Sequence, residues 1–186
     1  MNYTIISGSQ NRASITFRAV KHLEDRLAKE LSEDKITIID VRDYDIPLDI
    51  QVYQDEGDAP EHLTDLVSTI YATDAFILVT PEYNGCYTPA LKNLLNHFPK
   101  FSHKPIGIVT ASDGALGGMR AAQQLQLLSI AHFGIPSATM LVIPRVHKLF
   151  EEDGSLVDPT FQRQIDNFIR ELIWLSKTIY QQPIGQ

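Results

Sequence analysis

The sequence predicts an α/β protein: a doubly wound, five-stranded parallel sheet of strand order 2-1-3-4-5, with helices on both faces. Three observations predict it. Five short runs, residues 3–7, 36–41, 75–80, 105–111 and 138–143, are nearly continuous in apolar or β-branched side chains. Strands covered on both faces read this way, whereas half-exposed strands alternate. Between the runs, apolar residues recur at spacings of three and four, the helical period. Polar, turn-rich segments leave the first, third and fourth runs, as they do at a sheet edge that faces a ligand.

Taken in order, the first run leads into a stripe formed by Phe17, Val20, Leu23, Leu27 and Leu31. Ser14 is placed to cap that helix. After the second run, residues 43–60 hold Pro47, Gly57, Pro60 and several acids, and read as a surface loop. The third run ends in a turn-rich segment, and a helix starts near Thr88, which can cap it with Pro89 in the first turn. The fourth run is followed by three glycines and then by the stripe Ala121, Leu125, Leu128, which Gly134 and Pro136 bring to a stop. Phe161, Ile165, Phe168, Leu172 and Ile179 form the last stripe, and the tail 181–186 reads as loose. No internal repeat or low-complexity linker divides the chain, so residues 1–186 read as one domain. A chain of this length buries about 70% of its unfolded surface and needs no staples.

Composition narrows the function. An apolar fraction of 44% and a charged fraction of 21% fit a soluble globular protein. A net charge of −7 argues against nucleic-acid binding, which rests on phosphate neutralisation. It leaves room for a local phosphate cradle. No apolar run reaches membrane-spanning length, the N-terminus lacks the layout of a signal peptide, and the single cysteine, Cys86, can form no internal disulfide. The expectation is a cytoplasmic protein without a membrane partner. None of the six histidines has zinc-ligand spacing, so no metal site is expected. A nucleophile elbow, Gly-x-Ser-x-Gly, is absent as well.

Three loops carry the chemistry. The first, Ser7-Gly8-Ser9-Gln10-Asn11-Arg12-Ala13-Ser14, runs from a strand into a helix N-terminus. Free amides and the helix dipole favour an anion there. The hydroxyls of Ser9 and Ser14 can donate to phosphate oxygens, and Arg12 can neutralise charge. Neither a dinucleotide fingerprint nor a Walker loop is present, and a single terminal phosphate suits so short a loop. The second, from Pro81, Glu82, Tyr83, Asn84 and Gly85 to Cys86, offers rigid surface at Pro81 and Tyr83 and a tight turn at Asn84-Gly85. Cys86 reads as a small side chain filling a niche; a redox-sensitive thiol is the sharper alternative, and it has no resolving partner in the chain. Glu82 reads as a solvated acid or an ion-pair partner. The third, Ser112-Asp113-Gly114-Ala115-Leu116-Gly117-Gly118, lets a backbone approach closely, and the helix that follows offers amides to developing negative charge.

Together these loops resemble the NAD(P)H-dependent FMN reductases, flavodoxin-like proteins that include quinone, azo-dye and chromate reductases. Gly8, Ser9 and Ser14 match the family's Gly-Ser-x-Arg-x-x-Ser, with Asn11 where arginine is usual and Arg12 one place later. Pro81, Glu82, Tyr83, Asn84, Leu91, Lys92 and Asn93 match Pro-Glu-Tyr-Asn-x-Ser-x-Pro-Gly-x-Leu-Lys-Asn, with Cys86 for serine and Thr88-Pro89 for Pro-Gly. Ser112, Gly114, Gly117, Gly118, Arg120 and Ala121 match the third motif. The resemblance implies FMN held by Ser9, Asn11, Arg12, Ser14, Ile15 and Thr16 at its phosphate arm, and by Pro81, Glu82, Tyr83, Asn84, Gly85, Ser112, Asp113 and Gly114 around the ring. It implies NADPH or NADH as co-substrate, a small-molecule electron acceptor, no side chain acting as acid, base or nucleophile, and a homodimer or homotetramer. The acceptor stays open among quinones, azo compounds, metal oxyanions and free flavin. Two rivals remain: a flavodoxin-type electron carrier and a flavin-bound redox sensor, neither turning over NAD(P)H.

Overall fold

The computed structural model describes residues 1–181; the tail expected to be loose lies, beyond Gln181, outside the described residues. Strands β1 (Asn2–Ser7), β2 (Lys35–Asp40), β3 (Ala75–Thr80), β4 (Pro105–Ala111), β5 (Ile135–Pro136) and β6 (Leu141–Ile143) form one sheet. Its order is β2-β1-β3-β4-β5, with β6 also on β4, and every pairing is parallel. This is the flavodoxin-like topology that the apolar runs predict. The helices are α1 (Thr16–Glu30), α2 (Thr64–Ala72), α3 (Pro89–Asn96), α4 (Met119–Ala131), the short α5 (Val146–Leu149) and α6 (Gln162–Gln181). Among the described residues no helix is long and apolar enough to cross a membrane.

Two cores flank the sheet. On one face, Val20, Leu23 and Leu27 of α1 and Ile165, Phe168 and Leu172 of α6 pack on Tyr3, Ile5, Ile77 and Val109. On the other, Leu66 and Ile70 of α2, Leu91 and Leu94 of α3, and Ala122 and Leu125 of α4 pack on Ile6, Phe76, Leu78 and Ile108. All residues of β3 and β4 are buried, which is why they read as unbroken apolar runs.

Three expectations need correction. The fifth strand is not continuous over 138–143. Ile106 pairs with Pro136 and Val109 with Leu141, so four residues, 137–140, stand opposite Gly107 and Ile108. Edge strands tolerate such a bulge because no second neighbour enforces the register. Second, the residue that ends α4 in the left-handed conformation is Phe133 (φ 59°) and not Gly134. Phe133 donates to Ile130 O and Gly134 to Ser129 O, the pair of bonds that closes a Schellman cap. Glycine is needed at 134 for space: a Cβ there would stand 2.3 Å from Ile106 Cδ1. Third, the loop 43–60 is pinned at its centre. Tyr53 is buried, stacks on His97 with centroids 5.4 Å apart, and donates its amide to His97 O at 2.9 Å.

Buried histidines give this fold a pH signature. His132 stacks on Phe101, and burial, aided by Lys100 and Lys92, lowers its pKa to about 4. Burial also lowers His22. A depressed histidine stays neutral in the folded state while the unfolded chain takes up a proton. The histidine contribution to stability therefore falls as pH drops from about 6.5 towards 4 and levels off below that. Urea unfolding between pH 7.5 and 4 is expected to show this loss. His132→Phe, which keeps the ring stack, is expected to remove about 2 kcal/mol of it after allowance for partial solvent screening.

Candidate functional site

β1, β3 and β4 end in adjacent rows: Ser7 is in register with Val79, Val79 with Val109, and Thr80 with Thr110. The three loops therefore leave the sheet side by side at its carboxyl edge. The first is drawn across β3 by Gly8 N donating to Val79 O at 2.8 Å. Asn11 Oδ1 accepts from Ala13 N at 3.0 Å, an Asx turn that bends the chain into α1. Ser14 does not cap that helix. Its carbonyl already accepts from Phe17 N at 3.4 Å, Ile15 is the helical N-cap, and no side chain satisfies the first turn. Ser14 Oγ is instead buried without a partner, as is Ser7 Oγ. The amides of Ile15 and Thr16 find no acceptor among the described residues. Thr16 turns its hydroxyl inward to Ala111 O at 3.3 Å, which leaves its amide as the group it can present. Ser9 is buried, and Arg12 and Asn11 are exposed.

Cations gather at this helix head in spite of the acidic whole. Arg12, Arg18, Lys21 and Arg42 line a hollow of about 360 Å³ beside Ser14 and Ile15, with Glu152 the one acid. Arg42 is fixed by both carboxylate oxygens of the buried Asp40, which raises its pKa, and it donates to Arg12 O at 3.4 Å. Sequence reasoning passed over Arg42. Only the parallel pairing of β2 with β1 brings it here, and no local pattern marks it.

The second loop is the tight turn that Asn84-Gly85 predict. Tyr83 N donates to Cys86 O at 2.9 Å and Cys86 N to Tyr83 O at 3.1 Å. Asn84 (φ 52°) and Gly85 (φ 82°) are both left-handed, the type I′ pattern. Cys86 is half-buried and enters the turn through its backbone alone. Thr88 caps α3 as expected, accepting from Leu91 N at 3.2 Å, and its hydroxyl also donates to Gly8 O. Thr88 N donates to Thr80 Oγ1 at 3.2 Å. One threonine thus joins the first loop to the second.

The third loop corrects a further expectation. The first turn of α4 does not keep all its amides for a ligand. Gly118 (φ 85°) is the N-cap and carries no capping side chain. The carboxylate of Glu82, from the second loop, takes Arg120 N at 3.2 Å and Ala121 N at 3.5 Å, and its other oxygen pairs with Arg120 Nη1 at 3.0 Å. Asp113, Gly114 and Ala115 amides have no acceptor among the described residues. The loop is held from behind by Arg145 N on Gly114 O and Val146 N on Ser112 O, at 3.2 and 3.0 Å. The Asp113 carboxylate is directed at His147. Thr110 Oγ1, beneath Gly118, is a third buried hydroxyl without a partner.

No group of three or more His, Cys, Asp or Glu side chains able to hold a metal occurs among the described residues. What the edge presents is an uncapped helix with partnerless hydroxyls and nearby cations, a rigid turn, and a glycine loop with free amides. Uncapped helix heads and free loop amides at the carboxyl edge of such a sheet are the kind of groups that bind anionic cofactors. The family model for NADPH-dependent FMN reductase matches residues 1–148, and the chain belongs to that family: it is an oxidoreductase with FMN as cofactor and reduced nicotinamide as co-substrate. It is 26% identical over 187 residues to the NADH:(hydroxy)cinnamate reductase subunit CrdA of Vibrio ruber, covering 96% of this chain and 89% of the relative. It is 27% identical over 178 residues to a probable NADPH:quinone oxidoreductase 2 of Oryza sativa, covering 90% and 84%. Among solved structures it superposes on FerB, a flavoenzyme NAD(P)H:acceptor oxidoreductase of Paracoccus denitrificans, with TM-score 0.75, 23% identity and coverage of 95% and 97%.

The head of α4 gives a direct test of the backbone requirement. A Cβ on Gly118 would lie 3.0 Å from Thr110 Cβ at a positive φ, whereas one on Gly114 meets only Ser112 Oγ at 3.7 Å. Gly118→Ala is expected to cost about 1–3 kcal/mol in urea unfolding of the apoprotein, and Gly114→Ala less than about 0.5 kcal/mol.

Proposed function

We propose that this chain passes electrons from NADPH or NADH through FMN to a small organic acceptor, with quinones the best-supported class. The observation that carries the reading is the set of buried, partnerless hydroxyls at Ser7 and Ser14 beside an uncapped helix. A buried hydroxyl without a partner costs about 1–3 kcal/mol, so its retention at a helix N-terminus fits a phosphate that completes it. In this reading Ser9, Asn11, Arg12 and Ser14 and the amides of Ile15 and Thr16 hold the phosphate. Pro81, Tyr83, Asn84 and Gly85 wall the ring, and Ser112, Asp113 and Gly114 present backbone to its polar edge. Bound FMN supplies two-electron chemistry, taking hydride from nicotinamide and giving electrons to the acceptor. The protein's part is orientation, exclusion of water and a fixed field. Quinones are favoured because the rice relative carries that activity in its name.

We read residues 1–186 as one flavin-binding domain that works as a homodimer or a larger homo-oligomer. Support comes from α4, where Met119, Leu127 and Ile130 lie along one face and are 42%, 62% and 58% exposed, and from Leu116, 64% exposed in the loop before it. The stripe starts in the third loop, so a second copy seated on it would wall the ring site. Light scattering at micromolar concentration is expected to give at least twice the chain mass, and Leu127→Glu with Ile130→Glu is expected to give the monomer.

Flavin fluorescence titration is expected to show FMN binding, NADPH or NADH to bleach the bound flavin anaerobically, and a quinone to restore its colour. A bound flavin that neither nucleotide reduces would favour the carrier or sensor. Ser14→Ala is expected to weaken FMN by roughly tenfold to a hundredfold, since a hydrogen bond to a charged acceptor contributes about 1.5–3 kcal/mol. Its apoprotein should melt no lower than the parent, because the variant removes an unpaired buried hydroxyl.

A further inference from the structure

Glu82 lies on the second loop and Arg120 and Ala121 in the first turn of α4, yet one carboxylate meets both backbone amides and the guanidinium. The Glu82 side chain is only 15% exposed, and Arg120 is 66% exposed. The two loops are in contact around this bridge. A Cβ on Gly118 would lie 3.5 Å from Glu82 Cβ, and one on Gly85 would lie 3.6 Å from Arg120 Cδ. α4 has no cap of its own, since its N-cap residue is glycine. A carboxylate is the favoured partner for exposed helix-head amides, by hydrogen bonding and by the helix dipole.

We propose that Glu82 is a positioning residue: it is the cap of α4 supplied from the second loop, and it clamps the turn at residues 83–86 to the glycine loop so that both close on the flavin ring as one body. The inference rests on the reading of these loops as the ring site. Its consequence is twofold. The ring edge meets the amides of Asp113, Gly114 and Ala115, because those of Arg120 and Ala121 are occupied. The site also carries a fixed negative charge, offset by Arg120, that opposes the charge gained by the ring on reduction. Glu82 touches neither hydride donor nor acceptor in this role.

Three variants separate the clamp from a general contribution to folding. Glu82→Ala is expected to lose hydrogen-exchange protection at residues 119–121 in the apoprotein and to weaken FMN binding about tenfold, the scale of a lost cap. Glu82→Gln keeps an acceptor for both amides and is expected to restore protection and most of the affinity. With the charge gone, the midpoint potential of its bound FMN should move positive, whereas Arg120→Ala should move it negative. A role in folding alone would leave both potentials at the parent value. Unchanged exchange at 119–121 in Glu82→Ala, or parent potentials in both charge variants, would overturn the clamp. If Glu82→Ala does not fold, Glu82→Gln and Arg120→Ala decide the matter by their potentials. A parent protein that binds no FMN would instead overturn the reading of function, and exchange at 119–121 in the apoprotein would still decide whether Glu82 caps α4.

Discussion

The site depends on the parallel register of β1, β3 and β4, which brings Ser7, Val79 and Val109 into one row and Thr80 and Thr110 into the next. With helices on both faces, every side chain along β3 and β4 is buried, so polar chemistry is excluded from the strands and collected where they end. Most polar groups inside are bonded, as where Thr4 and Thr73 hydroxyls meet at 2.6 Å, although His22 Nε2 and His132 Nδ1 also lack partners among the described residues. At the carboxyl edge the rule relaxes, and Ser7, Ser14 and Thr110 keep partnerless hydroxyls. Two side chains then tie the loops together: Thr88 reaches Gly8 O, and Glu82 reaches the head of α4. Both come from the second loop, which is therefore the centre of the site as well as of the chain order.

Most of the architecture was legible because it is written in local patterns. Continuous apolar runs gave four strands to within a residue or so at each end, the spacing of Phe17, Val20, Leu23 and Leu27 gave α1, and Thr88-Pro89 gave the start of α3. Asn84-Gly85 gave a turn whose type follows from the conformations those two residues tolerate. What was not legible depends on contacts between distant segments. The bulge at 137–140 arises from register against β4, and Phe133 takes the left-handed position while Gly134 lies in the space beside Ile106. Ser14 looked like a cap because serine at such a place commonly is one. The Asx turn from Asn11 starts the helix differently and leaves the hydroxyl free. The cap on α4 was invisible because the carboxylate that accepts from its amide sits 38 residues away.

Net charge was informative about what the protein avoids and silent about its site. At −7 the whole chain is acidic, yet Arg12, Arg18, Lys21 and Arg42 surround the head of α1. Three of these are anchored. Arg18 donates to Phe150 O at 2.9 Å, Lys21 to Glu152 O at 2.9 Å, and Arg42 to the buried Asp40. Arg42 is paired with Asp40 and Arg18 lies 3.7 Å from Glu152, so part of this charge is offset where it stands, and what is left acts locally because screening limits it to about 8–10 Å.

The departures from the family motifs have local physical reasons. At position 11 the structure uses an acceptor: Asn11 Oδ1 takes the Ala13 amide and sets the bend into α1. A guanidinium has no acceptor and could not make that bond. An asparagine at 11 therefore excludes arginine there, and Arg12, one place on, lies where Arg42 holds its carbonyl at the edge of the cationic hollow. At position 86 the turn needs only an amide and a carbonyl, each bonded to Tyr83, so either serine or cysteine satisfies the backbone. The replacement of Pro-Gly by Thr88-Pro89 goes further. It places a proline in the first turn of α3 and adds a hydroxyl that bonds two ways, donating to Gly8 O and accepting from Leu91 N of the helix it caps. In this chain Asn11, Cys86 and Thr88 each take part in the backbone bonding of their loop, and Thr88 ties the second loop to the first.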